Sequence, residues 1–239
     1  MTSLDEKLAA YKASPDIKAL VESTPILLLV GPTGAGKDAL KQELLDTGHY
    51  HHIISHTTRN PRINHGVLEQ DGQEYHFIDL DTAGKMLDNH EFIEAKIYSD
   101  NVYGTSVAEI KKAHDEGKVA MTDLEVQGVA EYKALDANVM AIFLLPPDFR
   151  TWQERLQRRY GDVVDADDYR LRLETALNEL KQLLETDYYM AVVNEDLAAT
   201  VAEVENIVGT KSNSSENDAK ARSVAEQLAK DIQSYLANS

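Results

Sequence analysis

Residues 31–37, GPTGAGK, have the spacing G-x-x-x-x-G-K. Glycines at these positions let the backbone turn so that successive N–H groups point inward at an anion. A lysine at the end of such a loop reaches the β- and γ-phosphates of a nucleoside triphosphate. Gly31, Pro32, Thr33, Gly34, Ala35, Gly36 and Lys37 are therefore candidate triphosphate ligands. The next residue is Asp38, where a Ser or Thr hydroxyl for Mg²⁺ is usual. A carboxylate is also an oxygen ligand for Mg²⁺, so Asp38 is a candidate metal ligand with altered chemistry.

A second group has the chemistry to hold another phosphate. Thr57-Thr58-Arg59-Asn60-Pro61-Arg62 places two cations in a stiff turn, suited to bidentate phosphate contact. Two arginines on a loop are by themselves more often solvated surface. Their company argues otherwise, because Tyr75 and Tyr103 can donate hydroxyl hydrogen bonds. Glu94 is an acid inside an otherwise apolar stretch of Phe92, Ile93 and Ala95. There it could accept from the N1–H and N2–H₂ donors that distinguish guanine from adenine, although composition alone favours an exposed strand position.

These residues need elements to position them. Ile26 to Val30 is an apolar run long enough for a buried strand and too short for a core helix. After the loop, Leu40, Leu44 and Leu45 share a helical face, and Thr47-Gly48 marks the stop. The strand, loop and helix make the context that a phosphate loop requires, with the positive end of the helix dipole at the anion. Further on, Asp81 is the expected N-cap of a helix carrying Met86 and Leu87, Phe92-Ile93 begins an extended segment, and residues 101–105 are expected to turn into a helix, Val107 to Glu116. Val119 to Leu124, Val139 to Leu145 and Ala191 to Asn194 read as further buried strands, alternating with helices. That alternation predicts an α/β fold with a parallel sheet and helices on both faces. Ligands in such sheets sit at the carboxyl ends of strands, where the loop, Asp123 and Asn194 fall.

Both ends of the chain carry amphipathic segments. Leu4, Leu8 and Tyr11 share a face in residues 1–24, which break at Ser14-Pro15. Residues 209–220 (GTKSNSSENDAK) read as a polar, disordered linker, and Ala221 to Leu236 as a helix. The apolar faces predict docking on the same chain or a homodimer, and the C-terminal segment is expected to be dispensable for chemistry.

The 239 residues suffice for one large domain with appendages. The formal charge of −17 argues against a general binder of nucleic acid or anionic membrane. With no cysteine, disulfides, zinc thiolates and thiol nucleophiles are excluded. No membrane-spanning run and no signal-peptide pattern is present, which reads as cytoplasmic. Five of the eight histidines fall between His49 and His65, but their spacing matches no tight ligand set and predicts solvated loop residues.

The chain resembles the guanylate kinase family over most of residues 25–208. Beyond the phosphate loop, the resemblance is carried by SHTTRNPR (Ser55 to Arg62), EQDGQEYHFI (Glu69 to Ile78), NHEFIEA (Asn89 to Ala95), VYGTS (Val102 to Ser106), TDLEVQGV (Thr122 to Val129), FLLPP (Phe143 to Pro147) and VVNEDL (Val192 to Leu197). It implies a P-loop NTPase-type core with a GMP-binding insertion at about residues 55–118 and a lid at about 148–188. It further implies that Ser55, Glu94, Thr105 and Glu125 line a guanine pocket, that Arg59, Arg62, Tyr75 and Tyr103 hold the GMP phosphate, and that Glu69 belongs to the GMP-binding set. Lys37 would clamp the ATP phosphates, Asp123 would sit near Mg²⁺, and Asn194 near the adenine. Arg155, Arg159 and Arg172 would close over the transferring phosphoryl group.

The implied reaction is direct in-line transfer from MgATP to GMP or dGMP. Three positions depart from the family's pattern: Asp38, the longer INHGVL step between Arg62 and Glu69, and Glu125 where Asp is frequent. The Lys37-Asp38 pair also resembles ribose 1,5-bisphosphate kinases of the same fold, which makes a sugar kinase one alternative. A non-catalytic guanylate-kinase-like binding module is another, but such modules tend to lose the phosphate loop.

Overall fold

Strand β1 (Ile26–Val30) is buried along its whole length, as five consecutive apolar residues demand when both faces of a sheet are covered. It belongs to a computed structural model that describes residues 4–64, 66–160 and 166–238. The chain divides into two compact units. The first comprises residues 1–26, 49–122 and 130–139, and the second residues 27–48, 123–129 and 140–239.

In the second unit β1 pairs in parallel with β10 (Met140–Leu145), and β10 in parallel with β11 (Tyr189–Val193). The helices are α3 (Lys37–Asp46), α7 (Phe149–Tyr160), α8 (Ala166–Glu185), α9 (Leu197–Thr210) and α10 (Ser215–Asn238). The expected break in the charged stretch between α7 and α8 falls at 161–165, outside the described residues. The expected linker is largely helical instead: α10 begins at Ser215, six residues before Ala221. It buries Ala221, Ala225, Leu228 and Ile232 and packs on α8 and β11. Arg222 donates to Asp218 at 2.7 Å and to the carbonyls of Leu183, Thr186 and Tyr189, while Asp218 accepts from Ala191 N at 2.8 Å. These bonds satisfy the carbonyls at the end of α8 and tie the helix to the sheet. The C-terminal helix is thus part of the core of the second unit.

In the first unit β2 (Tyr50–His52) runs parallel to β9 (Val119–Asp123). A four-stranded sheet orders β6 (His76–Phe77), β3 (His56–Thr57), β8 (Asn101–Ser106) and β7 (Phe92–Tyr98). Residues 101–105 therefore form strand rather than turn, because they pair antiparallel with β7 across residues 92–98. Between β3 and β6, β4 (Ile63–Asn64) pairs antiparallel with β5 (Val67–Leu68) within the INHGVL step, and Glu69 N donates to Arg62 O beside them. The cap of helix α4 (Leu80–Asp88) lies two residues before the expected one: Asp79, not Asp81, accepts from the first-turn N–H of Thr82 at 2.7 Å. Helices α5 (Val107–Glu116) and α6 (Val126–Leu135) follow β8 and β9.

Helix α1 (Leu4–Ala10) and helix α2 (Pro15–Ser23) form the N-terminal segment, with Ser14 capping α2 and Pro15 in its first turn. Leu4, Leu8 and Tyr11 pack on Met86, Leu87 and Phe92, Lys7 pairs with Asp88 at 2.6 Å, and the Tyr11 hydroxyl donates to Phe92 O at 2.5 Å. The apolar face of α1 is thus covered within its own unit.

Among the described histidines of residues 49–65, His51 of β2 and His56 of β3 are half-buried in paired strands rather than solvated in loops. His51 and His76 approach the buried Glu109 of α5 at 3.8 and 3.3 Å, and the His56 and His76 rings stack at 4.6 Å. Burial, then the neighbouring His76, pushes His56 down to about 4. Glu109 also accepts from Ile54 N and Lys112, so the cluster joins β2, β3 and β6 to α5. No group of three or more His, Asp or Glu side chains is placed to hold a metal among the described residues.

Candidate functional sites

In the second unit, the loop from Gly31 to Gly36 carries the chain from β1 into α3. Gly31 and Gly36 have φ of 131° and 102°, in the region L side chains avoid. A Cβ on Gly31 would lie 2.2 Å from Leu144 O, and one on Gly36 2.2 Å from Asn194 Nδ2. Both positions therefore require glycine for conformation and for space. Asn194, just past β11, is 5% exposed and locks the loop by donating to Ala35 O at 2.8 Å. Trp152 of α7 donates to Thr33 O at 2.7 Å. The backbone that would receive phosphates is held from outside by side chains of α7 and of the segment after β11.

Lys37 opens α3 and folds back to donate to Gly31 O at 2.5 Å and Pro32 O at 3.4 Å. Burial lowers its pKa, opposed by the negative charges of Glu179, Asp123 and Asp38. Burial would raise Asp123, but Lys41 at 2.6 Å outweighs it and the carboxyl is held below its ordinary range. Asp38 is exposed and paired with Arg159 at 3.1 Å. Arg155 donates to Asn194 O at 2.9 Å, and Arg172 pairs with Asp168 at 2.8 Å. Each of the three arginines thus rests on an oxygen acceptor within its own unit. A cleft lined by Thr33, Asp168, Arg172, Thr175 and Glu179 lies beside the loop.

The first unit holds the other cluster. Arg59 is 8% exposed and pairs with Glu69 through two bonds, 2.8 and 3.0 Å, the geometry of a planar fork on a carboxylate. Glu69 also accepts from Arg62 N at 2.8 Å, and the Arg59 fork holds its carboxyl below the ordinary range. The Arg59 guanidinium stands 5.3 Å from the Tyr75 ring, and Tyr75 lies 5.9 Å from Tyr103. Arg62 is exposed. Arg59, Glu69, Tyr75 and Tyr103 therefore lie together, with Arg62 joined to them through its backbone N–H.

Glu94 is buried rather than exposed. A register irregularity between Phe92 and Glu94 turns it inward opposite Thr105, whose N–H donates to Oε1 at 3.1 Å. Close approach of β8 explains this burial, since a Cβ on Gly104 would meet Glu94 O at 2.7 Å. Burial pushes the Glu94 carboxyl up to about 7, with the Thr105 bond pulling the other way. Ser55 is half-buried in this unit and accepts from His76 N through its carbonyl. Glu125 is an exposed residue of the second unit, just before α6.

Several participants have no sequence signal. Lys41 and Glu179 are single charged residues on helices, yet Lys41 holds Asp123 and Glu179 faces Lys37, its own carboxyl raised by burial. Tyr132 of α6 is wholly buried near Glu94. Only helical phase, taken together with strand order, could have pointed to them.

Comparison with known proteins bears on the whole arrangement. The family model described as guanylate kinase matches residues 23–211. A guanylate kinase of Syntrophotalea carbinolica is 34% identical over 184 residues, which cover 77% of this chain and 84% of that one. One from Rickettsia bellii is 34% identical over 185 residues, covering 77% and 92%. Among solved structures, guanylate kinase from Anaplasma phagocytophilum superposes with a TM-score of 0.58 at 25% identity, covering 81% of this chain and 89% of that one.

Proposed function

The chain belongs to the guanylate kinase family, and we propose that it transfers the γ-phosphoryl group of ATP to GMP and dGMP. The observation that carries this reading is the buried carboxylate of Glu94, set in the same unit as the Arg59, Tyr75 and Tyr103 cluster. A carboxylate can accept the N1–H and N2–H₂ pair of guanine. Arg59, Arg62 and the two tyrosines suit the dianionic phosphate of the acceptor, with Glu69 holding Arg59 until a phosphate takes its place. Ser55 and Thr105 complete the acceptor group in the first unit.

The transfer needs positioning and charge neutralisation more than a strong base. An oxygen of the GMP phosphate forms a bond to the γ-phosphorus as the bond from that phosphorus to the β–γ bridging oxygen breaks, and ADP leaves with the electron pair. Loop N–H groups from Gly31 to Gly36 and Lys37 receive the ATP phosphates, and Asn194 supports the loop beside the adenine. Arg155, Arg159 and Arg172 exchange their present acceptors for the oxygens of the moving phosphoryl group. Asp38 and Asp123 are hard oxygen donors beside Lys37 and suit Mg²⁺ carried in with the nucleotide. That ion would offset phosphate charge.

The sugar-kinase alternative rests on Asp38 alone, and the comparisons do not favour it. An ADP-release assay with GMP, dGMP, AMP and ribose 1,5-bisphosphate decides. Activity with the two guanine nucleotides and little with the others is expected, and a preference for the sugar phosphate overturns the reading.

A further inference from the structure

Tyr132 lies on α6, in the same unit as β7 and β8, and is completely buried. Neither its hydroxyl nor that of Thr105 completes a hydrogen bond of good geometry among the described residues, although the Thr105 hydroxyl lies within reach of both Tyr132 and Glu94. Two such hydroxyls in one place are unusual, because an O–H taken out of water without a well-formed bond is costly. Phenylalanine would fill the same volume without that cost. Both hydroxyls belong to the surroundings of Glu94: Thr105 sits opposite it in the strand pair, and the negative charge of Glu94 reaches the phenol.

The carboxyl of Glu94 has one backbone donor, Thr105 N. A buried carboxylate needs more than one donor to remain ionised. The other charged groups facing it are Glu131 of α6 and Lys96 of β7, which pair with each other at 3.2 Å and so oppose one another in their effect on Glu94. That leaves the two hydroxyls as the donors within the unit that can answer a negative charge on Glu94.

We propose that Tyr132 is a positioning residue for Glu94, its hydroxyl turning with that of Thr105 to supply the inner hydrogen bonds that hold Glu94 as a carboxylate for an incoming guanine. This rests on the reading of Glu94 as the guanine acceptor. The base would take the outward lone pairs of the carboxylate, and the hydroxyls the inward ones. Tyr132 never touches the nucleotide, since its oxygen is sealed from the surface. In the empty protein Glu94 titrates near neutrality, so a lost inner donor has its largest effect where the carboxyl is partly protonated and fades once alkali ionises it fully.

Tyr132→Phe removes one oxygen and keeps the ring. In the nucleotide-free protein, carboxyl-carbon NMR with labelled glutamate should show the Glu94 titration, assigned by its loss in Glu94→Gln, moved upward by about 0.5 to 1 unit. In steady-state assays the variant's KM for GMP should rise about five- to tenfold at about pH 6, fall to within about twofold of the parent at about pH 9, and leave kcat unchanged. An unmoved Glu94 titration, or a KM penalty equal at both pH values, overturns the role of Tyr132 while Glu94→Gln still loses GMP. If Glu94→Gln binds GMP as the parent does, the guanine reading falls, and the purpose assigned to Tyr132 falls with it. Should Tyr132→Phe not fold, Thr105→Val removes the other hydroxyl and must give the same upward shift.

Discussion

The phosphate loop and the Glu94 cluster are built in opposite ways. The loop presents backbone: its glycines are fixed by φ and by the closeness of Leu144 and Asn194, and its chemistry follows from consecutive N–H groups. The Glu94 cluster presents side chains that come from β7, β8 and α6, and its chemistry follows from burial. A site made of backbone tolerates changes in the side chains around it so long as the turn survives. One made of a buried charge depends on each neighbour, and it trades stability for recognition.

The largest expected effect breaks the loop's one indispensable side chain. Lys37→Ala should lower kcat about a thousandfold, near 4 kcal/mol, with little loss of stability, because Lys37 bonds only to its own loop carbonyls. Initial rates and thermal melts on the same protein check both halves.

Arg59→Ala acts on the side-chain site and should differ in kind. It should raise KM for GMP by about 30- to 100-fold with a smaller effect on kcat, since the phosphate it holds is bound throughout the reaction. It should also destabilise the empty protein, because Glu69 is left nearly buried without its fork. A variant with lowered kcat and unchanged KM would mean that this cluster meets the moving phosphoryl group instead.

The trade between stability and recognition is sharpest at Glu94. Its pKa is raised in the folded state from 4.5 to about 7. The native protein therefore binds more protons than the unfolded chain between those values, and stability falls as pH rises through that window. At about pH 8 the ionised Glu94 costs on the order of 3 kcal/mol, and Glu94→Gln should melt higher than the parent there and lose that advantage near pH 4. Denaturant unfolding at both pH values tests the sign.

The smallest effect is expected at Asp38. Its pair with Arg159 is exposed, so Asp38→Ser should change stability by less than about 1 kcal/mol and remain active. Titration of the initial rate with free Mg²⁺ should show a higher half-maximal requirement in Asp38→Ala than in the parent. Superimposable curves would leave Asp38 as a helix-end charge alone.

Local patterns carried most of the fold. The apolar run of β1, the glycines after it and the break at Ser14-Pro15 are all read by neighbours in sequence, and the elements lie where those neighbours put them. What failed depended on distant partners. Residues 101–105 look like a turn because Gly104 and Asn101 favour one, yet pairing with β7 overrides that preference. Residues 215–220 look disordered because their polarity is visible and the carbonyls of Leu183, Thr186 and Tyr189 that Arg222 caps are not. Glu94 has the composition of an exposed strand residue, and the strand irregularity beside it accompanies its burial. His51, His56 and His76 are likewise drawn together by Glu109, more than thirty residues further along the chain from His76.

The central claim is that Glu94 selects guanine, and base selectivity tests it most directly. ADP release should be measured with GMP and AMP for the parent and for Glu94→Gln. The account predicts that the parent prefers GMP strongly and that Glu94→Gln loses about 2 to 4 kcal/mol in kcat/KM for GMP while its low rate with AMP barely changes. Undiminished use of GMP by Glu94→Gln would contradict it.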